Sequence, residues 1–202
     1  MNYFVTGIDT DSGKTLVSAI LCEALKADYW KPVQAGFPRD ADTVKSLTSE
    51  SVKIFPEAYT LNTPASPHAA AAIDGVTIEL AKFVAPDTQN DLVIEGAGGC
   101  LVPLNDTNFV IDIAPEVADA VILVADLYLG SINHTLLTVE ALQKRELPVK
   151  GIIFNGKSNP ESERIILHHS GLPCLLRITP EETINHETVK RYAERLKENW
   201  NA

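Results

Sequence analysis

Gly13, Lys14 and Thr15 close a loop that begins at Gly7 and follows the apolar run Tyr3-Phe4-Val5-Thr6. These residue types suit a phosphate group. Glycines let successive backbone N–H groups converge on phosphate oxygens, a lysine adds positive charge, and a threonine hydroxyl at a helix start can ligate Mg²⁺. Five residues separate Gly7 from Gly13, where the common pattern has four. The alternative is an ordinary strand-to-helix turn that carries Gly-Lys-Thr by chance. The loop's place after a strand-like run and before an amphipathic helix favours a nucleotide.

Other residues with chemical potential come directly after apolar runs. Lys31-Pro-Val-Gln-Ala-Gly36 puts a lysine at a strand end, where it would either share the cleft with the loop or lie on the surface. Glu95-Gly-Ala-Gly-Gly99 closes another run with an acid and three glycines, the place of a magnesium-holding carboxylate in nucleotide-binding folds, or else a glycine turn. Asp42 falls on a helix expected after the Lys31 loop. By pattern alone it is either a second metal ligand or one of several solvated acids. Asp126 to His134 turns into a helix whose first amides can bind an anion, although Asn133 and His134 equally suit capping. Asn155-Gly156 ends a further run, and an asparagine amide there has the donor and acceptor to read an adenine edge, or it is a turn.

Positioning these groups in one cleft requires a sheet. Strand-like runs at Tyr3–Thr6, Tyr29–Lys31, Leu92–Ile94, Ala120–Ala125 and Val149–Phe154 alternate with helical stretches near 14–27, 77–84 and 132–145. Runs apolar on both faces belong in a parallel sheet covered by helices, so the expected fold is a doubly wound α/β fold of the P-loop NTPase kind, one domain over residues 1–202. Such sheets bind ligands at the carboxyl ends of their strands. Asn62 to Pro67 reads as a loop, and Glu187 to Trp200 as a charged surface helix striped by Val189, Tyr192, Ala193 and Leu196.

Composition narrows the partners. A net charge of −10 and a pI near 4.9 disfavour a general nucleic-acid or anionic-membrane surface, so a phosphate site must be local. Three unclustered cysteines, no secretory leader and no membrane-length apolar run point to a cytoplasmic chain with reduced thiols.

The ordered set of segments resembles one family, the dethiobiotin synthases of biotin synthesis. The resemblance runs from Val5 to about Pro180. It rests on the Gly7–Thr15 loop, Lys31–Gly36, Ser66-Pro-His-Ala-Ala70, Glu95–Gly99 with Pro103, and Leu129-Gly-Ser-Ile-Asn-His-Thr-Leu-Leu137. It implies a homodimeric ATP- and Mg²⁺-dependent enzyme that joins CO₂, or bicarbonate, to 7,8-diaminopelargonic acid and closes a ureido ring through a carbamate and its mixed anhydride with phosphate. By that resemblance Lys31, Lys14 and Thr10 serve the reaction. Asp11, Ser12, Gly13, Lys14, Thr15 and Leu16 form the phosphate loop, with Thr15, Asp42 and Glu95 around Mg²⁺. Gly96, Ala97, Gly98 and Gly99 offer amides near the reacting atoms. Asn155, Gly156, Thr179, Pro180 and Glu181 match the adenosine end. Ala35, Gly98, Gly99, Gly130 and Asn133 match the substrate's contacts, the last two from the neighbouring subunit.

Three departures stand out. Ala35 occupies a place where the family commonly has Ser or Thr. No tyrosine between Tyr128 and Tyr192 matches the one that helps hold the substrate carboxylate, a place His168 or His169 would have to fill. The short tail leaves the ribose contacts open. Two other readings compete. A partitioning or membrane-cycling switch ATPase needs a second lysine near the loop's start, where Asp9 stands, and a basic surface. A cobyrinate-type amidotransferase needs a glutaminase for which 202 residues leave no room.

Overall fold

A computed structural model describes residues 1–200. The first half runs β1 (Asn2–Gly7), α1 (Lys14–Leu25), β2 (Asp28–Trp30), β3 (Val33–Ala35), α2 (Asp40–Leu47), β4 (Ile54–Phe55), β5 (Tyr59–Leu61) and α3 (Pro67–Asp74). The second runs β6 (Leu92–Gly99), α4 (Ala114–Val117), β7 (Ala120–Asp126), α5 (Ser131–Gln143), β8 (Val149–Asn155), α6 (Pro160–Ser170), β9 (Cys174–Ile178) and α7 (His186–Trp200).

Seven strands form one sheet in the order β4-β2-β6-β1-β7-β8-β9, every neighbouring pair parallel. Helices cover both faces, as the double-sided apolar runs require. Side chains alternate across the strands: Phe4, Ile94, Leu123 and Phe154 enter one core, and Tyr3, Val5, Val93, Val124 and Ile153 enter the other. Helices α1 and α7 close the second core through residues such as Ile20, Leu21, Tyr192 and Leu196. β1 lies at the centre between β6 and β7, so its carboxyl end opens between two others.

Three local expectations change. The stretch 77–84 is not an α-helix; only a 3-10 turn forms at Leu80–Lys82. Ile78 and Phe83 are drawn into the core while Val84 stays exposed, and Pro86 disfavours helical backbone at Ala85. β6 continues to Gly99, so Glu95 lies inside the strand and not at its close. A second, two-stranded parallel sheet of β3 and β5, unforeseen in the sequence, carries the chain past Lys31.

Candidate active site

The loop after β1 is shaped by two close approaches. A Cβ on Gly7 would lie 2.1 Å from Ser12 Oγ, and one on Gly13 would lie 2.3 Å from Asn155 Nδ2. Gly13 also has φ +94°, a left-handed conformation that glycine adopts without strain. The loop is held from within by the Ser12 hydroxyl, which donates to Asp9 O at 3.0 Å, and from β8 by Asn155 Nδ2, which donates to Ser12 O at 3.0 Å. Asn155 thus spends one donor on the loop and does not keep its whole amide for a base.

Lys14 is buried, and its ammonium donates to Asp9 O (2.8 Å) and Thr10 O (2.7 Å). Burial lowers its pKa to about 8, only partly offset by the attraction of Glu95.

Beside the loop is a knot of buried ionic groups. Register pairs Val5 with Glu95 and Trp30 with Ile94, bringing Glu95 next to Lys31 at the end of β2. Lys31 Nζ donates to Glu95 Oε1 at 3.1 Å and to Asp40 Oδ2. Thr15 Oγ1 donates to the same Glu95 oxygen at 2.8 Å, and the Tyr29 hydroxyl donates to Glu95 Oε2 at 2.9 Å. Burial by itself would strip the charge from Lys31, but the facing carboxylates of Glu95 and Asp40 more than offset it and hold the lysine above its usual pKa. Burial and then Glu95 push the Tyr29 phenol well up, so that it remains a donor.

Asp42 does not join this group. It is exposed and takes two bonds from Arg39, at 2.8 and 3.1 Å. Asp40, two residues earlier, faces Lys31 instead. Residues two apart on a helix point in nearly opposite directions, since each step turns it by about 100°. Asp40, and not Asp42, is thus the second carboxylate beside Lys31.

Thr10, Asp11, Gly13, Lys14, Thr15, Lys31, Asp40, Glu95 and Gly98 line one cavity of about 260 Å³. A neighbouring one of about 340 Å³ shares Thr10, Lys31, Asp40 and Gly98 and adds Gln34, Ala35, Ser66 and Ala97. Ser12 is buried beneath the loop, Leu16 packs into the second core, and Gly96 sits against Phe4 and Val110. Gly99 lines a third cavity, about 330 Å³, with Asp9, Leu101, His134 and Leu137.

At the far end Gly156 N donates to Ile178 O, which sets the residues after β9 beside Asn155. The Tyr192 hydroxyl accepts from Thr179 N at 3.1 Å and donates to Glu181 Oε1 at 2.5 Å, fixing the Thr179-Pro180-Glu181 turn. Gly130 and Asn133, at the start of α5, do not line the cavities that contain Lys31. His168 and His169 meet edge to face on α6. Asp40, Tyr29 and Tyr192 escaped the sequence reading. Tyr29 and Tyr192 look like core residues in sequence, and the only signal for Asp40 was its place at the first helical position of α2.

A family model described as an AAA domain matches residues 1–188. An ATP-dependent dethiobiotin synthetase BioD of Cytophaga hutchinsonii is 58% identical over 201 residues, covering 98% of each chain. The chain belongs to the dethiobiotin synthetase family. A second synthetase of that name, from Christiangramia forsetii, is 49% identical over 199 residues, covering 97% of this chain and 96% of its own. Among solved structures, a ParA family ATPase from Chlorobium tepidum superposes with TM-score 0.58 at 12% identity, covering 98% of this chain and 96% of its own. The cell division ATPase MinD of Pyrococcus furiosus gives 0.56 at 14%, covering 98% and 99%. These likenesses show a P-loop NTPase fold.

The residues present fit what such a synthetase would bind. The glycine-bounded loop leaves room for phosphate against Lys14, and Thr15, Glu95 and Asp40 supply hard oxygen ligands of the kind Mg²⁺ takes. Both carboxylates already converge on a cation, the Lys31 ammonium. Among the described residues no group of three or more His, Cys, Asp or Glu side chains is placed to hold a metal ion.

Proposed function

We propose that this chain is an ATP-dependent ligase that makes dethiobiotin in biotin biosynthesis, by carboxylating 7,8-diaminopelargonic acid with CO₂ and closing the ureido ring. One observation carries the reading: the phosphate loop, Lys31, Asp40 and Glu95 line a single cavity, and a second cavity that shares Lys31 and Asp40 with it lies where the diamine would sit. The identity to synthetases over nearly the whole chain supports it independently.

In this reading one substrate amine attacks CO₂ and gives up a proton to form a carbamate. A carbamate oxygen attacks the γ-phosphorus of ATP and ADP departs. The second amine then attacks the carbonyl carbon, gives up a proton and expels phosphate, which closes the ring. Gly13, Lys14 and Thr15 grip the triphosphate. Thr15, Glu95 and Asp40 would hold Mg²⁺, which neutralises charge on the β- and γ-phosphates. Lys31, kept charged by its two carboxylates, neutralises the carbamate and the migrating phosphoryl group, and Thr10 and the Gly98 backbone border both ligands. Positioning is most of what such a transfer asks of a protein.

Asn155, Gly156 and the Thr179–Glu181 turn border the adenosine. Ala35 lines the diamine cavity without a hydroxyl, and Gln34 and Ser66 are the polar side chains beside it. The substrate's distant carboxylate goes to the α5 start, Gly130 to Asn133, of a second copy. The homodimer is supported by the exposed apolar side chains Leu101, Leu129, Ile132 and Leu137 around α5. No helix among the described residues is long and apolar enough to cross a membrane, and we assign the enzyme to the cytoplasm.

The test is to supply ATP, Mg²⁺, ¹³C-bicarbonate and the diamino acid. Dethiobiotin one mass unit heavier, with one ADP per product, is the expected outcome. ADP release without labelled product would instead mark a switch ATPase.

A further inference from the structure

We propose that Tyr29 is a positioning residue for the magnesium site: its buried hydroxyl occupies one oxygen of Glu95 and so keeps the other turned towards Thr15. The inference rests on the proposed assignment of Glu95 to Mg²⁺.

Tyr29 on β2 pairs in register with Val93 on β6. Val93 and Glu95 point to the same side of the sheet, two residues apart, so the tyrosine ring lies diagonal to Glu95 across the strand pair, a distance that long side chains span. The ring is fully buried in the core beneath α1, with Val5 and Val93. A phenylalanine would fill that space. The hydroxyl adds a polar atom where water cannot reach, and such an atom is costly unless it is bonded. Its partner is Glu95 Oε2 at 2.9 Å, in a bond strengthened by the carboxylate's charge.

This bond divides the work of Glu95 between its two oxygens. Oε2 is taken by a neutral donor inside the core, whereas Oε1 faces Thr15 at 2.8 Å and Lys31 at 3.1 Å. A carboxylate free to rotate would present either oxygen, or both, to Lys31 and to a metal. With Oε2 fixed, one oxygen in one direction remains. Partners that orient a metal ligand in this way govern metal affinity more than they govern the reaction itself.

The test measures ATP affinity by calorimetry, in EDTA and in saturating Mg²⁺, for the wild type, Tyr29→Phe, Glu95→Gln and the double variant. Tyr29→Phe should bind ATP in EDTA as the wild type does and lose about tenfold of the affinity gained from Mg²⁺. It should also need about tenfold more Mg²⁺ for half-maximal turnover, with kcat at saturation nearly kept. The double variant should respond to Mg²⁺ no worse than Glu95→Gln, because Tyr29 acts through that side chain. If Glu95→Gln loses the Mg²⁺ response while Tyr29→Phe keeps all of it, the role given to Tyr29 is overturned and that of Glu95 stands. If Glu95→Gln keeps the response too, both are overturned. Metal-free melting checks the fold; should Tyr29→Phe not melt cooperatively, Tyr29→Met, equally without a donor and more adaptable in shape, is read in its place.

Discussion

Around Lys31 the chain satisfies itself: two carboxylates meet one ammonium, a threonine and a tyrosine take the oxygens of Glu95, and Lys31, Tyr29 and Glu95 are buried. Around α5 it does the opposite. Leu129 is fully exposed, Leu101 and Leu137 are about half exposed, and the cavity that Leu101 and Leu137 border opens outward. The first region is preorganised for charge, which in a low-dielectric setting is where fixed groups stabilise a transition state most. The second leaves apolar surface that a second copy would cover. On the function proposed above, phosphoryl transfer belongs to one chain and completion of the substrate site to two.

The largest effect should come from the buried knot. Lys31→Gln is expected to lower kcat by about 10²- to 10³-fold while ATP affinity stays within about twofold, measured by turnover and calorimetry. A collapse of ATP affinity would make the lysine a nucleotide anchor instead. Next comes the exposed face. Replacing Leu129 and Leu137 by glutamate together should weaken dimerisation by about 100-fold or more in sedimentation, since each buried leucine contributes about 1.5–3 kcal/mol, and turnover should fall at low protein concentration. A dimer unmoved by both changes would place the interface elsewhere.

Asp40 and Asp42 offer a finer comparison within one helical turn. Asp40→Asn should cost about tenfold in turnover, with more Mg²⁺ needed, and Asp42→Asn less than about twofold. The reverse order would restore Asp42 to the site. The smallest effect is one of pH. Lys14 titrates near pH 8 in the free protein, below its usual value because it is buried. A bound triphosphate favours the charged form, so binding should take up a proton above pH 8 and ATP affinity should fall as pH rises past that point, while remaining flat below it. Calorimetry in buffers of different ionisation heat reads the proton directly, and a flat profile to pH 9.5 would contradict it.

Much of this arrangement was legible in the residues. Lys14, Thr15, Lys31 and Glu95 were found because parallel strands deliver the residues at their carboxyl ends to one edge of the sheet, and the glycines marked where backbone approaches closely. The features that escaped depend on phase and packing. Asp40 and Asp42 differ only in helical rotation, which the sequence does not set until the first turn of α2 is placed against Lys31. Tyr29 reads as a core aromatic, and its hydroxyl gains meaning only when β2 pairs with β6. Residues 77–84 carried apolar residues that suit a helix, but Ile78 and Phe83 were claimed by the core from either side of a 3-10 turn.

The most direct test of the account is a crystal structure with a non-hydrolysable ATP analogue, Mg²⁺ and the diamino acid bound. It should show the triphosphate on Gly13 to Thr15, Mg²⁺ on Thr15, Glu95 and Asp40, and Lys31 between the γ-phosphate and the diamine. A nucleotide seated elsewhere, or a metal bound away from Glu95, would contradict it.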